Sequence, residues 1–122
     1  MEGEGFRSEV AGAEEELERI IEESMAKVKE IKDSMNGLEK GISTAVEPER
    51  SVLVKRLRSE SDRLNRLSDS LTLTCKDAWR MYAELEKKLT NGVDPSALEG
   101  VRVHCKNIDQ IAADLLCYSL GH

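Results

Sequence analysis

Aromatic residues are scarce in this sequence. Only 3% of its 122 residues are Phe, Trp or Tyr, namely Phe6, Trp79, Tyr82 and Tyr118. So few rings cannot fill a thick globular core, and they offer no row of stacking surfaces for the bases of a nucleic acid. The composition instead favours a narrow seam of aliphatic side chains between helices, as in coiled coils.

Prolines and long hydrophobic runs are also few or missing. Two prolines in the whole chain leave room for very long helices. No apolar run approaches the ~18 residues of a membrane span, and the first residues, MEGEGFRSEV, are acidic, unlike a signal peptide. We therefore expect no direct insertion into a membrane.

The cysteines and histidines follow no pattern typical of a metal site or a disulfide framework. Cys75, His104, Cys105 and Cys117 are not arranged as closely spaced ligand pairs, and three cysteines is an odd number. We expect thiols at helical core positions, no metal or other cofactor, and a reducing cytoplasmic or nuclear setting. The sequence contains no nucleophile–base pair, and no Gly-rich phosphate loop that follows a strand. We therefore expect that the protein is not an enzyme and has no small-molecule substrate.

Charge is unevenly distributed along the chain. The net charge of -6 disfavours a protein that binds the phosphate backbone of a nucleic acid. Residues 1–23 hold nine acids against two arginines, whereas residues 50–66 hold six cations against two acids. Two interpretations stay open: solvated helix faces, or an acidic and a basic end that help to select partners.

The first part of the chain predicts a flexible lead-in and then a long helix. Residues 1–12 are acidic and rich in glycine, and we expect them to be flexible. From about residue 13 a strict 4-3-4-3 spacing of mostly apolar residues predicts a helix over 13–45. Its members are Leu17, Ile21, Ser24, Val28, Ile31, Met35, Leu38, Ile42 and Ala45.

The stretch STAVEPER then interrupts the helical pattern. Pro48 fits the first turn of a new helix, which predicts a chain reversal near 43–48, with a kinked continuous helix as the alternative. A heptad over 48–90 predicts helix two. Its apolar face widens towards Trp79 and Tyr82, from a two-helix seam to the broader stripe of a bundle.

A second turn is predicted within LTNGVDPSALEG, residues 89–100. Asn91-Gly92 is typical of a helix C-cap, and Asp94-Pro95 of an N-cap followed by proline at the first helical position. Helix three is predicted over 95–118.

These elements predict an all-α fold: an elongated antiparallel helical hairpin closed at one end into a three-helix bundle, with coiled-coil-like packing, as a single domain over 13–120. Helices one and two span roughly 50–60 Å but helix three only about 36 Å. Helix three is expected to cover the apolar region around Leu71 and Trp79, so that residues 31–64 remain a two-helix hairpin.

A two-helix hairpin is marginal alone, so residues 31–64 are the predicted binding site for a helical protein or for a second copy. The apolar candidates are Ile31, Met35, Leu38, Ile42, Leu53, Val54 and Leu57. The basic candidates are Arg50, Lys55, Arg56 and Arg58.

Two resemblances accompany this prediction. Residues 28–40, VKEIKDSMNGLEK, resemble the first helix of the syntaxin N-terminal three-helix domain. The order of two long helices and a shorter third is similar to BAG co-chaperone domains. That second resemblance implies binding to the Hsp70 ATPase domain through charged residues of helices two and three, where helix three offers Arg102 and Lys106.

The main functional hypothesis is a non-enzymatic adaptor or scaffold, a part of a larger intracellular assembly such as trafficking or cytoskeletal machinery. The alternative is a BAG-like chaperone cofactor that binds through a charged helix face.

Overall fold

The computed structural model describes residues 2–89 and 94–121, with side chains from Gly5 onward. Three α-helices pack against each other: α1 is Glu2–Thr44, α2 is Glu49–Lys87 and α3 is Glu99–Leu120. A short 3-10 helix, Pro95–Leu98, precedes α3, and the described residues contain no strand. The predicted all-α bundle is therefore confirmed.

Contacts between α1 and α2 show that the two helices run antiparallel. Lys88 Nζ lies 3.2 Å from a Glu9 carboxylate oxygen at one end, and Arg63 pairs with Glu30 at 3.6 Å further along. At the other end, a methyl of Leu53 lies beside Gly41. The chain reversal predicted near 43–48 is therefore confirmed, and the kinked continuous helix is excluded.

Helix α3 runs antiparallel to α2 and parallel to α1. Trp79 Nε1 donates to Asp109 at 2.8 Å, and Ser119 Oγ donates to Asn65 at 2.5 Å, which fixes α3 along the second half of α2. Towards α1, His104 Nε2 lies 3.3 Å from Glu18. As predicted, α3 covers the wide apolar region around Trp79.

The core is a line of aliphatic side chains in two clusters. The first lies where α1 begins and α2 ends, which we call the base; its buried members are Phe6, Val10, Ala13, Leu17, Ala78, Leu85, Leu98, Val101, Cys105 and Ile108. The second consists of Ile31, Met35, Leu64, Leu71 and Leu115. Because burying one such side chain contributes about 1.5–3 kcal/mol, these two clusters stabilise the bundle.

The prediction of a flexible lead-in over 1–12 is wrong, because α1 begins at Glu2. Phe6 and Val10 continue the 4-3-4 apolar spacing that leads to Leu17, and both are buried in the base cluster. A glycine within a helix costs roughly 1 kcal/mol relative to alanine. Burial of the Phe6 and Val10 side chains offsets this cost at Gly5 and Gly12.

The start of helix three follows the predicted cap but differs in the first turn. Asp94 is extended, and its carboxylate accepts a hydrogen bond from Ser96 N at 2.9 Å, which lowers the pKa of Asp94. Pro95 then opens the 3-10 helix, so the α-helix starts at Glu99 rather than at 95. The predicted cap at Asn91-Gly92 lies outside the described residues.

Phe6→Ala is expected to lower the free energy of unfolding by about 2–4 kcal/mol, because it removes a buried ring from the base cluster. Urea unfolding followed by circular dichroism measures this change. Arg7→Ala, at an exposed position on the same turn, is the matched control and should stay within about 0.5 kcal/mol. Equal effects of the two changes would contradict the burial of the first turns of α1.

Candidate functional site

The three-helix part of the bundle extends further than the sequence predicts. Leu115 of α3 is fully buried in the same cluster as Ile31, Met35 and Leu64, and Tyr118 packs against it. Since α3 ends at Leu120, only residues 36–63 form a two-helix hairpin, which we call the tip. The predicted hairpin of 31–64 is therefore too long at both ends.

The structure separates the predicted apolar site residues into two groups. Ile31 is 3% exposed and Met35 is 1% exposed, so a partner cannot reach them while the bundle stays closed. Leu57 is partly buried and packs against the cluster that contains them. The remaining four are partly exposed along the tip: Leu38, Ile42, Leu53 and Val54.

A shallow groove runs between α1 and α2 at the tip. Its volume is about 480 Å³, and it has Leu38 and Val52 as its apolar residues. The groove is lined by Ser34, Leu38, Val52, Lys55, Arg56, Ser59 and Glu60, and we call it the tip groove. Three of the predicted site residues, the apolar Leu38 and the basic Lys55 and Arg56, therefore lie on one surface.

Val52 is a residue of the tip groove that the sequence did not predict. It is 50% exposed. It also lies off the heptad seam of α2, so the spacing did not predict that it would lie beside α1. An apolar residue outside the seam, within a run of cations, was the available signal. Because it is half exposed, Val52 contributes little to holding the bundle together.

The cations of the tip are largely free of intramolecular partners. Among the residues that the structure describes, the exposed side chains of Arg50, Lys55, Arg56 and Arg58 form no ion pair or hydrogen bond. Arg63 differs, because it contacts Glu60 at 3.2 Å and Glu30 at 3.6 Å. Residues 50–58 contain no acid, so the tip carries a local excess of positive charge.

Several charges at the base form ion pairs. Arg19 lies between Glu16 and Glu23, and it contacts Glu23 at 2.9 Å. Lys88 pairs with Glu9 across the helices. Exposed pairs of this kind contribute little to the stability of the fold, because water and salt screen them. Other cations at this end, such as Arg7 and Lys87, are exposed and form no ion pair or hydrogen bond among the described residues.

The two thiols between α2 and α3 are poor nucleophiles. Cys105 is buried and donates to the carbonyl oxygen of Ala78 at 3.4 Å. Burial raises the pKa of Cys105 to about 11, and burial together with Asp109 raises the pKa of Cys75 to about 11. Both residues are therefore protonated thiols at neutral pH, as expected of core positions.

Neither a metal cluster nor a membrane span is found within residues 2–89 and 94–121. No three His, Cys, Asp or Glu side chains there are grouped so that they can hold a metal ion. None of these helices is both long enough and apolar enough to cross a bilayer.

No protein-family model matches this chain, and neither the curated proteins nor the solved structures include a match to it.

Alkylation of the native protein at pH 8 is expected to modify the exposed Cys117 well before Cys75 and Cys105. A thiol with a pKa near 11 is about one-thousandth ionised at that pH, and mass spectrometry of the peptides gives the order of reaction. The denatured chain, in which all three thiols are accessible, is the control. Equal rates in the native protein would contradict the burial of this pair.

The same thiols predict how stability depends on pH in the alkaline range. Their folded pKa values lie above the ordinary value of 9.0, so their contribution to stability is complete below pH 9.0 and is lost as the pH rises towards about 11. Urea titrations at several alkaline pH values should show this fall, and Cys75→Ser should reduce its slope.

Proposed function

We propose that this chain is a non-enzymatic protein-interaction domain, an adaptor or scaffold of an intracellular assembly in the cytoplasm or nucleus. Its tip binds a helical protein, and the interaction needs no cofactor, small molecule or nucleic acid. One observation carries the proposal: on the part of the hairpin that α3 leaves uncovered, Lys55 and Arg56 line a groove beside the apolar Leu38 and Val52, and neither cation has an intramolecular partner among the described residues.

The apolar contribution comes from side chains that the bundle buries only in part. Leu38, Ile42, Leu53 and Val54 have one neighbouring helix to pack against, whereas the corresponding residues nearer the base have two. A helix laid into the tip groove removes the remaining apolar surface of Leu38 and that of Val52 from water, which favours association.

The charge of the tip selects the kind of partner. An amphipathic helix with acidic residues beside its apolar face places carboxylates near Lys55 and Arg56. Complementary charge of this kind increases the association rate and disfavours basic partners, and added salt weakens it. Trafficking or cytoskeletal machinery, which is built from long helices, is the setting we propose for such a contact.

A photoreactive benzophenone amino acid in place of Val52 tests the proposal in cells. Position 52 lies in the tip groove, so ultraviolet light should produce a covalent adduct with the partner. Leu116 is the matched control, because it is 51% exposed, close to the 50% of Val52, but lies on α3. An adduct at 52 and none at 116 supports the tip; no adduct at 52 overturns it.

The BAG-like alternative predicts a different surface. Its cations on α3 are Arg102, which pairs with Glu99 at 3.7 Å, and the exposed Lys106. If this face binds the partner, Arg102→Glu with Lys106→Glu should abolish the adduct formed by a benzophenone at 116. If the tip is the site, the same double variant should leave the adduct at 52 unchanged.

A further inference from the structure

A second groove lies between α1 and α2 nearer the base. Its volume is about 380 Å³, and its lining includes Ile20 and Ser24 of α1 and Leu67, Ser70, Thr74 and Met81 of α2. No residue of α3 lines this base groove, and none lines the tip groove. Since α3 runs beside this part of the hairpin, the base groove lies on the side of the α1–α2 pair that α3 leaves open.

Helical periodicity places the two grooves on one continuous face. Along α2, residues 52, 56, 59, 67, 70, 74 and 81 line one groove or the other. Their spacing is a sum of steps of three and four, which keeps them on one side of a helix. The Arg63–Glu30 ion pair bridges α1 and α2 between the two grooves. From Leu17 to Leu38 the face is roughly 30 Å long.

This face carries opposite charge at its two ends. At the base, the three acids Glu16, Glu23 and Asp77 outnumber the two cations Arg19 and Lys27 by one. At the tip, Lys55 and Arg56 outnumber Glu60. When a second copy lies across the face in the opposite direction, the acidic end of each copy meets the basic end of the other. Because a two-fold axis relates the two copies, this pairing occurs twice. Each copy then uses the same surface, and the assembly ends at the dimer.

The size of the face suits a dimer contact. Two helices side by side are about 20 Å wide, so the face covers on the order of 600 Å² in projection. A specific interface of standard size buries about 800 Å² on each partner, and side chains raise the buried area above the projected one. Ser24, Ser34, Ser59 and Ser70 are small, which allows the facing helices to approach closely.

We propose that the partner of this face is a second copy of the chain, docked antiparallel across the open side of α1 and α2. The inference rests on the proposed function, because it names the protein that the tip binds. With the two-fold axis near Leu67, Arg56 of one copy lies beside Asp77 of the other. Each copy has a net charge of -6, and the repulsion between the two copies is screened beyond about 8 Å at physiological salt. The attraction between Arg56 and Asp77 acts over a shorter distance and is screened less.

Sedimentation equilibrium of the full chain, from about 1 μM to about 1 mM, tests the proposal. The wild type should reach twice the chain mass of 13.6 kDa. Arg56→Asp and Asp77→Arg should each weaken the dimer about tenfold or more, because each places like charges together at both ends. The double swap, Arg56→Asp with Asp77→Arg, should restore the dimer to within about threefold of the wild type.

Arg58→Asp is the matched control, because it makes the same change of charge on α2. Position 58 lies about 160° around the helix from position 56, and Arg58 lines neither groove. Its dimer should therefore match that of the wild type. Circular dichroism checks that every variant stays folded; Arg56 and Asp77 are both exposed, so their replacement leaves the core intact.

Three results would overturn the second-copy inference: a wild-type monomer at all concentrations, a dimer that Arg56→Asp leaves unchanged, or single-variant losses that the double swap does not restore. A monomer combined with a residue-52 adduct to a different protein rejects the second copy but supports the proposed function. A monomer with no adduct at 52 rejects both.

Discussion

The short length of α3 is the constraint on which the rest of this structure depends. The helices α1, α2 and α3 have 43, 39 and 22 residues, or roughly 65, 59 and 33 Å at 1.5 Å per residue. Where α3 is present, each apolar stripe faces two others, and residues such as Leu17, Leu64 and Ile108 lose all contact with water. Beyond Leu120, only α1 and α2 are left to cover each other.

The division between bundle and tip also explains where charge is available. At the base, three helices bring polar and charged groups of different elements together, as Lys88 meets Glu9 and His104 meets Glu18. At the tip, the cations of residues 50–58 have no acid on their own segment and no third helix beside them. The tip therefore combines partly uncovered aliphatic groups with cations that have no partner among the described residues.

Local spacing predicted much of the fold, because heptads and capping residues act over a few positions of the chain. The seam of α1 from Leu17 to Met35 and the cap at Asp94 needed no knowledge of distant contacts. Phe6 and Val10 show the limit of that reasoning. Their glycine-rich surroundings indicated a flexible segment, whereas the base of the bundle supplies a buried surface that stabilises a helix there.

The sequence by itself determined that the chain is helical, where it reverses, and which side of each long helix is apolar, since these follow from residue spacing and backbone preference. Only the tertiary structure decided how far α3 reaches along the hairpin. Because α3 reaches as far as it does, Ile31 and Met35 are buried beside Leu115, whereas Val52 stays exposed. Register between helices depends on how side chains pack across an interface, and the spacing along one helix does not specify it.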